Sequence, residues 1–180
     1  MNQNQSIQKT KHWIEQFVIG MTLCPFAARP YKHERVRYVT YEESDILALY
    51  RLAEAELAYL DQHSPEEVET TLIIFTNLLQ DFEDYLDFLD IANDMLEEKG
   101  YEGVFQIAGF HPEYRFDGED AEDPSNYTNR SPYPMLHLLR EDSVEAAVAS
   151  MEDIDKVPYE NMKKLRLLGL DEIKKRLNEL

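Results

Sequence analysis

The chain has 180 residues and a formal net charge of −18, with 43% hydrophobic and 30% charged residues. This is the composition of one self-sufficient globular domain over residues 1–180, not of a disordered segment. So acidic a surface repels phosphate backbones and anionic lipid, arguing against broad electrostatic binding to nucleic acid or membrane. Its plainest meaning is solubility.

Residues 1–5 are polar and are expected to fray. From Ser6, a possible cap, Ile7, Trp13, Ile14, Phe17, Val18 and Met21 recur at three- and four-residue spacing, the pattern of an amphipathic helix. Pro25 and Pro30 are expected to stop it. "RVRYVTYEE" alternates as a strand does. Glu43 or Ser44 then opens a helix through Gln62, with its stripe at Ile46, Leu49, Tyr50, Ala53, Leu57 and Leu60. "TTLIIFTN" is a continuous apolar run, the mark of a strand buried on both faces. Residues 81–100 predict a third helix with acidic residues in its first turn and Gly100 at its end. "GVFQIAGF" and "PMLHLLRE" predict two further strands. Ser143 can cap "SVEAAVASM", and the tail divides into two short helices at Gly169.

Strands alternating with helices predict an α/β (α+β) fold, a mixed sheet of about four strands with helices packed on it. No helix fits inside residues 111–134, so the last strand is expected to return antiparallel beside the third. The single cysteine, Cys24, excludes an intrachain disulfide and a CxxC zinc site. With no signal-peptide layout and no apolar run near bilayer length, the expected compartment is the cytoplasm.

Irregular passages as long as the one between the last two strands are uncommon and tend to be functional or disordered. Its middle, the acidic loop 117–125, reads as solvated surface. Its ends hold more chemistry. His111 follows a buried strand, at the carboxyl edge where open α/β sheets bind ligands, and Asn77 ends the second strand at the same rim. The returning "NYTNRSPYP" brings Arg130, whose planar fork of donors suits phosphate or carboxylate, with Asn126, Asn129 and Ser131 to orient a ligand. His137 and Arg140 fall on opposite faces of the last strand, and His137 is the one expected to join the site.

The site so assembled predicts an enzyme acting on a small anionic metabolite, with His111 as general acid or base. Cys24 before Pro25 suggests a thiol at a helix N-cap, activated as a nucleophile by the helix dipole. The plainer readings are a loop-pinning His111, a core histidine at 137, a small buried residue at 24 and an arginine that only bridges to neighbouring acids. Two alternatives of another class remain: a transition-metal site of Cys24, His111 and His137, and a rigid interaction scaffold. Phosphate-loop, dinucleotide, nucleophile-elbow and HExxH motifs are all missing, so no cofactor is named.

Three segments, "TLCPFA", "FHPEYRF" and above all "NYTNRSPYPMLHLLRE", give the chain its resemblance to a bacterial family known as domain of unknown function 1415. The likeness runs over nearly the whole chain. It places Cys24, His111, Asn126, Asn129, Arg130, Ser131, His137 and Arg140 in the family pattern, and implies kinship without an activity, substrate or cofactor.

Overall fold

In the computed structural model, residues 3–149 and 156–178 are described. The apolar run Thr70–Phe75 forms β2 and is buried along its full length. On one side it pairs in parallel with β1 (Val36–Tyr41), Val36 opposite Thr70 and Tyr41 opposite Phe75. On the other side β4 (Met135–Arg140) pairs antiparallel. The remaining strand, β3 (Phe105–Phe110), pairs antiparallel with β4 only, so the order is β1-β2-β4-β3. The mixed sheet and the antiparallel β3–β4 pair are as the sequence predicts. That β4 inserts between β2 and β3 is not something the pattern specifies. The long 111–134 connection has the reach to carry the chain back, and the apolar "MLHLL" fits an interior strand.

Period-two alternation sorts the core into two layers. Ile73, Phe75, Phe105, Ile107, Leu136 and Leu138 meet α3 (Ile46–Gln62) and α4 (Phe82–Glu98) on one face. Leu72, Met135 and Phe110 face the other layer, with Trp13, Phe17, Leu165 and Ile173. The helices on the first face are capped by carboxylates. Asp45 accepts from the N–H groups of Leu47 and Ala48, and Asp81 from those of Glu83 and Asp84. The α3 cap is therefore one residue beyond the two expected. Gly109 lets α4 approach the sheet, since a Cβ there would lie 2.5 Å from the Tyr85 hydroxyl.

The second layer departs more from expectation. Helix α1 spans Gln3–Trp13, so Ser6 is not its cap but a buried residue inside it. Gln3–Gln5 are helical rather than frayed, and residues 1–2 lie outside the described residues. After Trp13 the chain widens into a π-helical segment, Ile14–Ile19. Pro30 does not break structure but sits third in a short helix, α2 (Ala28–Lys32), where its missing N–H is not needed. Helix α5 (Glu141–Ala149) follows β4 directly, leaving Ser143 inside it, and residues 150–151 of the expected helix lie outside the described residues. Helices α6 (Val157–Leu168) and α7 (Leu170–Asn178) break at Gly169, φ 82°, as expected. They are fastened to the N-terminal region, where Asn161 Nδ2 donates to the Leu23 carbonyl at 2.5 Å and Lys164 Nζ to that of Met21 at 2.8 Å.

Candidate functional site

β1, β2 and β3 run the same way, so their carboxyl ends share one rim with the start of β4. Asn77 lies there, its amide nitrogen donating to the Glu42 carbonyl at 2.6 Å. His111 and the 129–131 segment also meet there, as expected. The His111 N–H donates to the Asn129 carbonyl at 3.3 Å, and the Ser131 N–H donates to the His111 carbonyl at 3.4 Å.

The side chains gathered at the rim are largely occupied in holding backbone. His111 is fully buried, packed against Phe82 and Tyr85 of α4. Its Nδ1 accepts from the Glu113 N–H at 3.0 Å, which assigns the proton to Nε2, and Nε2 donates to the Leu79 carbonyl at 3.1 Å. Burial lowers its pKa, against smaller opposing effects of the Leu79 bond and the charges of Glu113 and Asp81. Such an imidazole is neutral at pH 7 with both nitrogens taken. Asn126 is also fully buried; its Oδ1 accepts from the Phe116 N–H at 3.0 Å and its Nδ2 donates to the Asp120 carbonyl at 2.8 Å. The Ser131 hydroxyl donates to the Tyr133 carbonyl at 2.6 Å. Residues Pro124–Thr128 form a 3-10 turn capped by Asp123, a short helix inside a passage expected to hold none.

Arg130 differs. Its Nε donates to the Tyr114 carbonyl at 3.0 Å and one Nη2 proton to that of Ala121 at 2.7 Å, while the guanidinium carbon lies 4.7 Å from the Tyr127 ring centre. No carboxylate pairs with it among the described residues. Among the described residues Nη1 makes no hydrogen bond, and neither does the side-chain amide of the half-buried Asn129.

The acidic loop is exposed at residues 117–118 and 120–122, as a solvated surface should be, but its carboxylates are tied to the tail rather than free. Arg166 of α6 reaches Glu119 at 2.8 Å and Asp123 at 3.0 Å, and Lys174 of α7 reaches Glu122 at 3.3 Å. Desolvation raises the Asp123 pKa, but the hydrogen bonds from Arg166 and Ser125 outweigh it and hold the carboxyl below its ordinary value. The sequence shows basic residues in the tail and acids in the loop, but 43 residues separate Arg166 from Asp123 and 52 separate Lys174 from Glu122, and no local spacing announces such pairs.

Cys24 is not at a helix N-cap, because α2 starts at Ala28 with Ala27 as its cap. Burial pushes its thiol pKa up, against weaker opposing effects of the Phe26 and Ala27 backbone. It packs in the layer with Trp13 and Phe17, whereas His111 packs on α4 across the sheet. The alternative of a metal held by Cys24, His111 and His137 is therefore corrected. His111 and His137 leave opposite faces of the sheet, and no three His, Cys, Asp or Glu side chains gather to hold an ion among the described residues.

His137 and Arg140 do point to opposite faces, as their spacing requires. Arg140 joins α3, and His137 faces the α1 layer beside the Phe110 ring, 6.0 Å between centres. His137 sits in one row across the sheet with Tyr38, Leu72 and Ala108, two residues along β4 from the rim rather than in it. Part of the residue reaches solvent, yet the protein packed about its ring pushes the pKa down to about 4 by desolvation. The folded-state value thus lies below the ordinary 6.5, so the unfolded chain binds the extra proton between those pH values. Stability from this source is complete above pH 6.5 and is lost as pH falls through about 4. Urea denaturation at pH 7 and pH 4.5 is expected to show His137→Leu losing less stability on acidification than wild type, by on the order of 2 kcal/mol. Equal losses would place the titration elsewhere.

Under α1, the buried atoms Thr10 Oγ1, Trp13 Nε1 and Tyr38 OH have no hydrogen-bond partner among the described residues. Sites of this kind are ordinarily met by ordered water. In the sequence, Trp13 reads only as a member of a helical stripe.

The fold is thus an α+β domain, a four-stranded mixed sheet between two helical layers, with a rigid rim loop carrying one half-free arginine. The family model for protein of unknown function (DUF1415) matches residues 5–175, nearly the whole chain, and the chain belongs to that family. No curated protein and no solved structure matches it. Among the described residues no helix is long and apolar enough to cross a membrane.

Proposed function

We propose that the chain binds a small anionic molecule, phosphate- or carboxylate-bearing, at the rim between β3 and β4, with Arg130 as its anchor. The observation that carries this reading is the state of that guanidinium. Two carbonyls and the Tyr127 ring fix its plane, no acid neutralises it among the described residues, and Nη1 remains available. A fixed, uncompensated donor fork attracts an anion locally, even in a chain of net charge −18. Asn129, the preceding residue, carries a side-chain amide with no hydrogen bond among the described residues, while Asn126 and Ser131 hold the segment in shape. No proton transfer is proposed for His111, whose nitrogens are both committed, nor nucleophilic attack for Cys24, whose thiolate is disfavoured by burial. The reading is of a binding protein, and its single cysteine suits the reducing cytoplasm.

Titration calorimetry with inorganic phosphate and with citrate tests it. Wild type is expected to bind at least one of them, and Arg130→Gln to bind it on the order of 10- to 100-fold more weakly, the effect of losing a charge-assisted hydrogen bond. No heat with either probe, or equal affinity in the variant, would overturn the proposal.

A further inference from the structure

The outer edge of the sheet at β3 pairs with no further strand among the described residues, and its backbone alternation can be fixed from two hydrogen bonds. The Phe75 N–H donates to the Pro134 carbonyl at 2.9 Å, and the Glu141 N–H donates to the Val104 carbonyl at 3.0 Å. Even-numbered residues of β4 therefore bond to β2 and odd-numbered ones to β3. In β3 it follows that Gln106, Ala108 and Phe110 turn their backbone groups toward β4, while Phe105, Ile107 and Gly109 turn theirs outward. At one end of this edge the Phe105 N–H is taken by the Tyr101 carbonyl, and at the other both His111 groups are taken by the 129–131 segment. Between them the Phe105 carbonyl and both backbone groups of Ile107 and Gly109 have no backbone partner among the described residues. "FQIAGF" carries none of the lysines or prolines that usually blunt a strand edge.

A groove of about 350 Å³ runs beside this edge, between α4 and β3. Its lining is mixed, the apolar part coming from the buried Leu96, Phe105 and Ile107. Its walls carry Asp94, Glu97, Glu102 and Glu141, none of which is in an ion pair among the described residues. We propose that this edge and groove are a docking site for an extended basic segment of another protein, which adds a strand outside β3. Main-chain bonds to Ile107 and Gly109 would give affinity, and alternate lysine or arginine side chains would meet the carboxylates. A second copy of the chain is the wrong occupant, because pairing two such edges sets like charges against each other. This surface is distinct from Arg130, and the inference does not rest on the anion proposal.

The test is amide hydrogen exchange on the full chain with a capped octapeptide of alternating lysine and valine. A glutamate–valine octapeptide serves as control. The lysine peptide is expected to slow exchange at Ile107 and Gly109 tenfold or more, and to leave Gln106 and Ala108, already bonded to β4, unchanged. Glu97 and Glu102 are exposed, so the double variant Glu97→Lys/Glu102→Lys is expected to fold normally and to lose the effect. No slowing by the lysine peptide overturns the proposal, as does equal slowing by the glutamate peptide. Protection that grows with protein concentration in the absence of peptide overturns it in favour of self-association.

Discussion

Replacing His111 by alanine is expected to destabilise the protein by about 3 kcal/mol, measured by urea denaturation at pH 7. The ring is fully buried against Phe82 and Tyr85, so truncation leaves a cavity under the start of α4. It also strands two backbone groups, the Leu79 carbonyl and the Glu113 N–H, each worth roughly 1 kcal/mol or more when left unpaired. Leu79 is not a bystander. It holds φ 55°, a left-handed conformation costing roughly 1–2 kcal/mol for a residue with a Cβ. The Nε2 bond from the far side of the rim is what holds that carbonyl in place, two residues before the Asp81 cap of α4. Amide exchange around residues 78–84 is therefore expected to accelerate in the variant, while β1 is little affected. A histidine serving only as a surface acid or base predicts the contrary, a loss under 1 kcal/mol, and that result would refute the assignment.

The helices on the α4 side were legible in the sequence because their information is local. Apolar residues at helical spacing, acidic residues in the first turn of α4 and a continuous apolar β2 all follow from neighbours in the chain. The meeting of His111 with residues 129–131 was legible too, because strand direction alone brings those segments to one rim. What the side chains do there was not. Histidine, asparagine, serine and arginine are the residues of a ligand site and equally of a loop that must satisfy its own buried carbonyls. Only coordinates reveal that Asn126 spends both ends of its amide on Phe116 and Asp120, while Arg130 keeps Nη1. The same limit explains the acidic loop: its partners, Arg166 and Lys174, come from α6 and α7, whose docking the periodicity of the tail does not specify. The segments that give the chain its family likeness thus serve, in large part, to fix the path of the backbone.

Arg140→Ala is expected to cost still more, on the order of 3–5 kcal/mol, although the residue makes no ion pair among the described residues. Its Nη2 donates to the carbonyls of Leu60 and His63, both at 2.6 Å, and to that of Val68 at 3.0 Å, with Nε on Val68 at 3.3 Å. Leu60 lies in the last turn of α3, and α3 has no basic residue of its own there to offset the negative end of the helix dipole. The guanidinium from β4 supplies that charge and gathers the whole α3–β2 connection onto one fork, with the Phe105 ring 5.7 Å beneath it. Desolvation lowers its pKa, against the raising effects of Asp61, Glu69 and Glu66, and the group stays charged at any ordinary pH. Removing it strands the His63 and Val68 carbonyls, leaves that of Leu60 with only the His63 N–H, and frees residues 60–69 to exchange. Arg140→Lys keeps the charge, but a single ammonium cannot reproduce a planar fork spanning three acceptors, so it is expected to recover less than half the loss. If lysine restored full stability, the charge at the helix end would be the cause. If alanine cost under about 1 kcal/mol, the carbonyls would be finding water, and the β4–α3 clamp would not be what orders this side of the sheet.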